Sequence, residues 1–192
     1  MKGLARWYKN WRHGRGFGVH SPLAYRLVSE VLRPRSDACY YGEAWARALF
    51  AGDSRSRGAA TVLRLLADRN PRSVALISGA ENAPSWRRLI AGTVPRAQIA
   101  DTVCTDSEFI IVDSTEGLSV QDLMVPADTK SLPGGKGVYT VFTNLRDKSM
   151  RRIFEERFVR SGFRGLIIDS ERDTAVCVAR HGLPRQYISA RF

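Results

Sequence analysis

Three short, nearly uninterrupted apolar runs constrain the fold of this chain more than any other feature of its sequence. They are SVALIS (73–78), EFIIVD (108–113) and GVYTVF (137–142). Hydrophobic residues at successive positions are typical of strands buried on both faces, as in a parallel sheet covered by helices. Helical periodicity lies between and after these runs, around residues 85–91 and at 147–162. This alternation of strands and helices predicts an α/β fold.

The C-terminal part of the chain predicts an antiparallel addition to that sheet. RGLIID (164–169) and TAVCVAR (174–180) are separated only by the polar sequence SERD (170–173), which is typical of a hairpin. QYIS (186–189) predicts a short final strand. The predicted architecture is therefore Rossmann-like, a mostly parallel sheet with a C-terminal antiparallel hairpin, preceded by N-terminal helices.

The predicted sheet also indicates where a ligand would bind. In open α/β sheets, ligands bind beyond the carboxyl ends of the strands, near the point where the strand order reverses. The segments in that position are 78–81 after the first run, 113–116 after the second and 143–147 after the third. Most of the candidate functional residues come from these segments.

The residues before the first strand predict helices. Ser21 is a suitable N-cap for a helix whose apolar face continues until Pro34. Residues 41–50 and 59–68 have helical periodicity, and the polar sequence GDSRSRG (52–58) between them predicts a loop. The helical part of the chain is thus expected to precede the sheet.

The charge of the chain is concentrated in its first half. Residues 1–100 contain 17 Lys and Arg against 6 Asp and Glu, whereas residues 101–192 contain 13 of each. Residues 1–35 contain 8 basic residues and 1 acidic residue, and arginine outnumbers lysine 25 to 5 in the whole chain. Because arginine forks suit phosphates and carboxylates, residues 1–35 are expected to attract nucleic acid, an anionic surface or an acidic partner.

Residues 1–18 predict a basic amphipathic extension to a domain at 19–192. Apolar residues recur in it at helical spacing, namely Leu4, Trp7, Tyr8 and Trp11. Glycines at 14, 16 and 18 then interrupt any helix. Two arrangements stay open: the helix lies on a membrane surface or on RNA, or it docks its apolar stripe on the domain.

The composition excludes several classes of protein. No apolar run reaches the roughly 18–20 residues of a transmembrane helix, and the chain does not open with the apolar segment of a secretory signal. Cys39, Cys104 and Cys177 are far apart and lack a CxxC spacing, which argues against a disulfide framework and a zinc site. We therefore expect a cytoplasmic protein with reduced thiols and no bound metal.

Two stretches of the chain resemble a known family. GFGVHSPLAYRLVSEVLRP (16–34) is similar to the opening of a group of bacterial methyltransferase-like proteins that begin with a G-x-GVHSP-type motif and a helix. VYTVFTNLRDKSMRRIFEERF (138–158) is similar to their fifth strand, the following loop and helix, and the hairpin at 164–180 to their last two strands. With its predicted architecture, the chain resembles the class I S-adenosylmethionine-dependent methyltransferases.

The resemblance implies S-adenosylmethionine as the cofactor and methyl transfer to an unknown acceptor as the activity. The cofactor-binding residues that it implies are Ser78, Gly79, Glu81, Asp101 and Asp113. Family members follow the first strand with a turn of the E/D-x-G-x-G-x-G kind, in which glycines let the backbone approach the methionine part of the cofactor. In this chain the corresponding sequence, GAENAP (79–84), has a single glycine.

The second strand of the family is abbreviated in this chain. Only 29 residues (79–107) separate the first apolar run from the second, which is short for two strand–helix units. Asp101 follows a predicted short strand at 98–100 and is the candidate for the acidic residue that holds the ribose hydroxyls in the family. One unit of the sheet is therefore expected to be trimmed or missing.

The resemblance also implies residues near the methyl acceptor. It places Asp113 and Asn144 there, and His20 is a candidate base for an acceptor hydroxyl. Each position has a structural alternative. Asp113 would cap a turn or pair with an arginine, Asp147 beside Asn144 would cap the following helix, and His20 would make a structural hydrogen bond.

Two functions of different classes follow from these observations. The first is a small methyltransferase that binds S-adenosylmethionine along the ends of the strands at 73–78 and 108–113. The second is a non-catalytic relative that keeps the fold and uses its basic first half to bind nucleic acid or a protein partner. Binding of the cofactor distinguishes them, because only the first requires it.

Overall fold

The computed structural model describes residues 21–33, 40–53, 55–116, 137–190 and 192. The helices are α1 (Pro22–Arg26, continued as a π-helix over Leu27–Val31), α2 (Tyr40–Ala48), α3 (Ser56–Arg69), α4 (Ala83–Thr93) and α5 (Lys148–Phe154, continued as a π-helix over Glu155–Arg160). The strands are β1 (Ser73–Ile77), β2 (Gln98–Ala100), β3 (Phe109–Val112), β4 (Val138–Phe142), β5 (Leu166–Asp169), β6 (Ala175–Ala179) and β7 (Gln186–Ser189).

The strands form one seven-stranded sheet in the order β2-β1-β3-β4-β6-β5-β7. The strands from β2 to β4 pair in parallel, and β7 pairs in parallel with β5. The strand β6 lies between β4 and β5 and is antiparallel to both. The structure therefore confirms the predicted α/β fold, with N-terminal helices and an antiparallel hairpin in the C-terminal part of a mostly parallel sheet.

The chain between β1 and β3 contains a single helix–strand unit. It contains one helix, α4, and the three-residue strand β2, and residues 101–108 between β2 and β3 form no helix. The strand β2 pairs with only the first part of β1, from Ser73 opposite Gln98 to Ala75 opposite Ala100. The short segment thus adds an edge strand without a second helix.

Helices cover both faces of the sheet, which explains the uninterrupted apolar runs. Alternate residues of β1 and β3 face α1 to α4 and form one core; they include Val74, Leu76, Phe109 and Ile111. The remaining residues of the same strands face α5 and form a second core with Phe142, Phe154 and Phe158. Because both faces of the central strands are buried, these strands need no polar alternation.

Two helix boundaries follow from polar groups that the sequence identified. The Ser21 hydroxyl accepts a hydrogen bond from the Ala24 amide at 3.4 Å, so it caps α1 as predicted. The Asp147 carboxylate accepts from the Met150 amide at 2.9 Å and caps α5. The helix α3 ends at Asn70, which adopts a left-handed conformation with φ of 45°.

The predicted loop at 52–58 is wrong at its C-terminal end. The helix α3 begins at Ser56, so Gly58 lies inside its first turn. A Cβ atom added to Gly58 would lie 3.0 Å from the Thr143 Cβ and 3.1 Å from the Thr143 carbonyl oxygen. The helix therefore needs glycine at this position to approach the end of β4, and that contact is not visible in helical periodicity.

Several predictions fall on residues outside the described part of the chain. These are the amphipathic extension at 1–18, His20 and the reduced thiol of Cys39. Among the described residues, no helix combines the length and the apolar character needed to cross a membrane.

Candidate functional site

The strand order reverses between β1 and β3. From β1 the chain passes through α4 to β2 on one side, and it then crosses to β3 on the other side of β1. Ser78 and Gly79 follow β1, and Asp113 and Ser114 follow β3. These residues flank the switch point at the carboxyl edge of the sheet, where ligands bind in folds of this class.

Asp113 is fully buried at this edge, and protein donors engage both of its carboxylate oxygens. One oxygen, Oδ1, accepts from Arg55 Nε and from the Thr143 hydroxyl, both at 2.8 Å. The other oxygen accepts from the Ser78 hydroxyl at 3.1 Å. A buried carboxylate is tolerated only with such partners. Asp113 therefore joins the ends of β1, β3 and β4 to the residue before α3.

Arg55 is a member of this site that the sequence did not predict. Its Nη1 contacts the Asp53 carboxylate at 2.8 Å, and its backbone amide donates to the same side chain at 2.8 Å. Burial alone would lower the pKa of the guanidinium, but the charge of Asp113 and the hydrogen bond to Asp53 outweigh burial and raise the pKa. The only sequence signal was the Asp-x-Arg spacing within a polar segment.

Gly79 lies two residues after the end of β1, and a carboxylate lies against it. A Cβ atom added to Gly79 would be 3.0 Å from Glu116 Oε2 and 3.6 Å from the Ser114 hydroxyl oxygen. The Glu116 amide donates to that hydroxyl at 3.1 Å, which folds the loop after β3 toward β1. Any ligand that approaches the Gly79 backbone from this side meets the Glu116 carboxylate.

Asp101 and Glu81 are exposed. Asp101 directly follows β2 and forms an ion pair with Arg87 of α4, and its side chain is 71% exposed. Glu81 lies in the turn before α4 and accepts a hydrogen bond from the Asn82 side chain at 3.0 Å. Asp101, Gly79 and Asp113 therefore stand at the ends of the neighbouring strands β2, β1 and β3, whereas Glu81 is farther along the connection to α4.

Asn144 follows β4 next to Thr143 and is half-buried. Its carbonyl oxygen accepts from the Asp147 amide at 3.1 Å, so its backbone forms part of the turn that leads to α5. The Leu145 amide donates to the Asp173 carbonyl oxygen at 2.9 Å, which brings the turn between β5 and β6 to the same edge. The structure therefore places Asn144 beside the Asp113 network but gives it no role in that network.

A second buried carboxylate at the carboxyl edge was not predicted. Asp169 ends β5, and its Oδ2 accepts from Arg151 Nη1 at 2.9 Å and from the Tyr187 hydroxyl at 2.8 Å. Burial, and then the charge of Asp169, raise the pKa of the Tyr187 hydroxyl and of the Cys177 thiol. The edge is thus built around two buried aspartates, each paired with a half-buried arginine.

The chemistry available at this edge is binding and positioning. Asp113 is enclosed by its partners and holds Arg55 and Ser78 in place, while Asp101 and Glu116 expose their carboxylates. In the part of the chain that the structure describes, no group of three or more His, Cys, Asp or Glu side chains is placed to hold a metal ion. Comparison of the chain with protein-family models, curated proteins and solved structures found no match.

Proposed function

We propose that this protein binds S-adenosylmethionine at the carboxyl edge of β2, β1 and β3 and transfers its methyl group to an acceptor that is still to be identified. The observation that carries the proposal is the convergence of Asp101, Gly79 and Asp113 at the ends of three neighbouring parallel strands. Gly79 and Asp113 flank the point where the strand order reverses, and Asp101 follows β2 on the other side of β1. The proposed cellular location is the cytoplasm.

Each residue has a defined part in the proposed site. The exposed Asp101 carboxylate is able to accept hydrogen bonds from the two ribose hydroxyls, and the side-chain-free Gly79 backbone faces the methionine part. Asp113 acts through Arg55 and Ser78, which it positions, rather than by contact with the acceptor. When bound, the cofactor supplies the electrophilic methyl group, so this chain's residues need only align the acceptor and exclude water.

Calorimetric titration of the full chain with S-adenosylhomocysteine tests the proposal. We expect saturable binding that Asp101→Asn weakens about 10- to 100-fold, because hydrogen bonds to a charged group contribute about 1.5–3 kcal/mol. The matched control is Asp106→Asn, which removes an exposed carboxylate before β3, at the opposite edge of the sheet. This control should bind like the wild type. Gly79→Val should abolish binding, because its side chain would fill the space beside Glu116.

A thermal-shift measurement gives an independent readout. Ligand at 100 times its Kd stabilises the folded state by about 2.7 kcal/mol, and a chain of this size gains roughly 2–4 °C in Tm per kcal/mol. Absence of both heat and a Tm shift at millimolar ligand would contradict the proposed activity. If Asp101→Asn and Asp106→Asn weaken the binding of S-adenosylhomocysteine equally, the protein binds the cofactor, but the proposed position of the site is wrong.

One observation favours the second function, a non-catalytic relative with this fold. The Glu116 carboxylate lies against Gly79, and it would repel the carboxylate of the methionine part. If neither the wild type nor Glu116→Gln binds S-adenosylhomocysteine, the second function is the better explanation. It then predicts salt-dependent association with nucleic acid or an acidic protein that weakens when residues 1–18 are removed.

A further inference from the structure

The two edges of the sheet differ in how their arginines are paired. At the carboxyl edge and on the adjoining helices, arginines contact aspartates. These pairs are Arg55–Asp113, Arg87–Asp101, Arg146–Asp173 and Arg151–Asp169. The aspartates at this edge therefore compensate its positive charge.

The amino edge of the sheet carries arginines of another kind. Five of them stand where a strand begins or ends at this edge. Four lie one or two residues before a parallel strand, and the fifth directly follows the antiparallel strand β6. They are Arg72 (β1), Arg96 (β2), Arg164 (β5), Arg180 (β6) and Arg185 (β7), and we call them the arginine edge. All five are exposed. Among the described residues, the guanidiniums of Arg72, Arg96, Arg164 and Arg180 have no carboxylate partner, and Arg185 donates to the Val159 carbonyl oxygen.

The strand order arranges these side chains in a row. Neighbouring strands lie about 4.8 Å apart, so the row from β2 to β7 spans roughly 30 Å. At the centre of the row, the Arg69 guanidinium lies 4.5 Å from the ring centroid of Tyr139 in β4. Two carboxylates interrupt the row before β3, those of Asp106 and Glu108, and Glu108 accepts from the Arg72 backbone amide at 2.9 Å. In the part of the chain that the structure describes, the five arginines of this edge stand against these two carboxylates.

We propose that the arginine edge binds the phosphodiester backbone of a nucleic acid. Exposed arginines in a row, most of which have no carboxylate partner in the described structure, present planar donor forks to successive phosphates, and arginine is the residue that suits this contact best. A membrane surface fits less well, because binding to lipid also needs an apolar face beside the charge. The large apolar side chains that are exposed in the described structure stand singly on α1, α2 and β7: Tyr25, Trp45 and Tyr187.

Fluorescence anisotropy of the full chain with a labelled single-stranded RNA of about 20 nucleotides tests this surface. The test variant combines Arg72→Gln, Arg164→Gln and Arg180→Gln. The control variant combines Arg87→Gln, Arg146→Gln and Arg152→Gln, which removes the same charge from exposed arginines that pair with carboxylates. Circular dichroism of both variants should match that of the wild type, because the substituted side chains are exposed.

The expected result is a specific loss in the test variant. Each phosphate contact on a single strand contributes about 0.7 to the slope of log K against log salt concentration. Losing three contacts should lower the slope by about 2 and weaken binding about 100-fold at 0.1 M salt. The control variant should change the slope by less than half as much.

Three outcomes overturn the proposal. The first is no RNA binding by the wild type at low salt. The second is equal weakening by the test and control variants, since that indicates attraction by net charge rather than by this edge. The third is binding to vesicles of phosphatidylcholine and phosphatidylserine without binding to RNA, which assigns the surface to a membrane. None of these outcomes depends on whether S-adenosylhomocysteine binds, so this proposal and the proposed activity fail independently.

Discussion

Replacing Asp113 with alanine is expected to destabilise the fold by about 3 kcal/mol. Removing one partner of a buried ion pair costs about 3–5 kcal/mol, because the other charge is left in the interior. The Arg55 side chain is 15% exposed, and without Asp113 its only carboxylate neighbour in the described structure is Asp53. That remaining contact places the loss at the lower end of the range. The hydroxyls of Ser78 and Thr143 also lose their acceptor.

Two further variants distinguish the effect of burying the carboxylate on stability from the effect of its charge. Asp101→Ala breaks a surface pair with Arg87, whose side chain is 41% exposed, and should cost about 0.2–1 kcal/mol. Asp113→Asn removes the charge and retains one oxygen that is able to accept from Arg55 and Thr143, while its amide nitrogen replaces the oxygen that accepts from Ser78. Its cost should therefore lie between the costs of the two alanine variants. This order follows from the contacts alone and does not require the protein to bind a ligand.

Urea unfolding followed by tryptophan fluorescence measures these losses. Trp86 is fully buried, and its ring centroid lies 4.4 Å from that of Phe50, so its emission reports loss of the core. In thermal unfolding, 3 kcal/mol corresponds to a Tm lower by roughly 6–12 °C for a chain of this length. A loss below 1 kcal/mol for Asp113→Ala, similar to that for Asp101→Ala, would refute the structural role. The Asp113 carboxylate would then be available to a ligand.

The remaining predictions concern the helices packed beside the site. The hydrogen bond from Arg64 holds the pKa of Glu43 below its ordinary value of 4.5, so this pair stabilises the fold above pH 4.5 and the contribution is lost as the pH falls below it. The difference in Tm between wild type and Glu43→Gln should therefore shrink between pH 6 and pH 3.5; a constant difference contradicts the pairing. Gly58→Val should cost about 1–3 kcal/mol in urea unfolding, because its side chain would overlap Thr143. Gly42→Ala in α2 meets only ordinary contacts and should instead stabilise by about 0.5–1 kcal/mol; destabilisation would show that α2 does not tolerate a methyl group there.

The central strands were predictable because burial on both faces requires apolar residues at successive positions, which is visible in the local sequence. The runs at 73–78, 108–113 and 137–142 each contain a strand of the sheet, with ends displaced by at most one residue. The hairpin was predictable for a related reason, since its two strands are joined by only a short polar turn. The local pattern does not state which strands are neighbours, and β6 enters the sheet between β4 and β5 through contacts between distant residues.

The site was predictable in position but not in composition. Ser78, Gly79 and Asp113 each follow a predicted strand. The rule that ligands bind beyond the carboxyl ends of parallel strands was sufficient to predict their position at the switch point. Arg55 escaped prediction because it belongs to a polar segment before a helix, 58 residues from its partner Asp113. No periodicity relates two residues at that separation. The start of α3 at Ser56 was missed for the same reason, since the contact between Gly58 and Thr143 at the end of β4 joins residues that are still farther apart in sequence.

The net charge of a sequence segment does not show how the fold distributes its charged residues in space. Residues 101–192 have equal numbers of basic and acidic residues, yet β5 has Arg164 before its first residue and ends at Asp169. Five residues of extended chain separate these two charges by roughly 17 Å, which is about twice the Debye length of 8 Å at physiological ionic strength. The two charges cancel in the sum but lie at opposite edges of the sheet, where Asp169 is buried and paired with Arg151 rather than with Arg164. Acidic side chains at the carboxyl edge therefore have little effect on an anionic polymer bound at the arginine edge. A ligand at the switch point and a nucleic acid at the arginine edge are accordingly expected to bind without electrostatic competition at physiological salt.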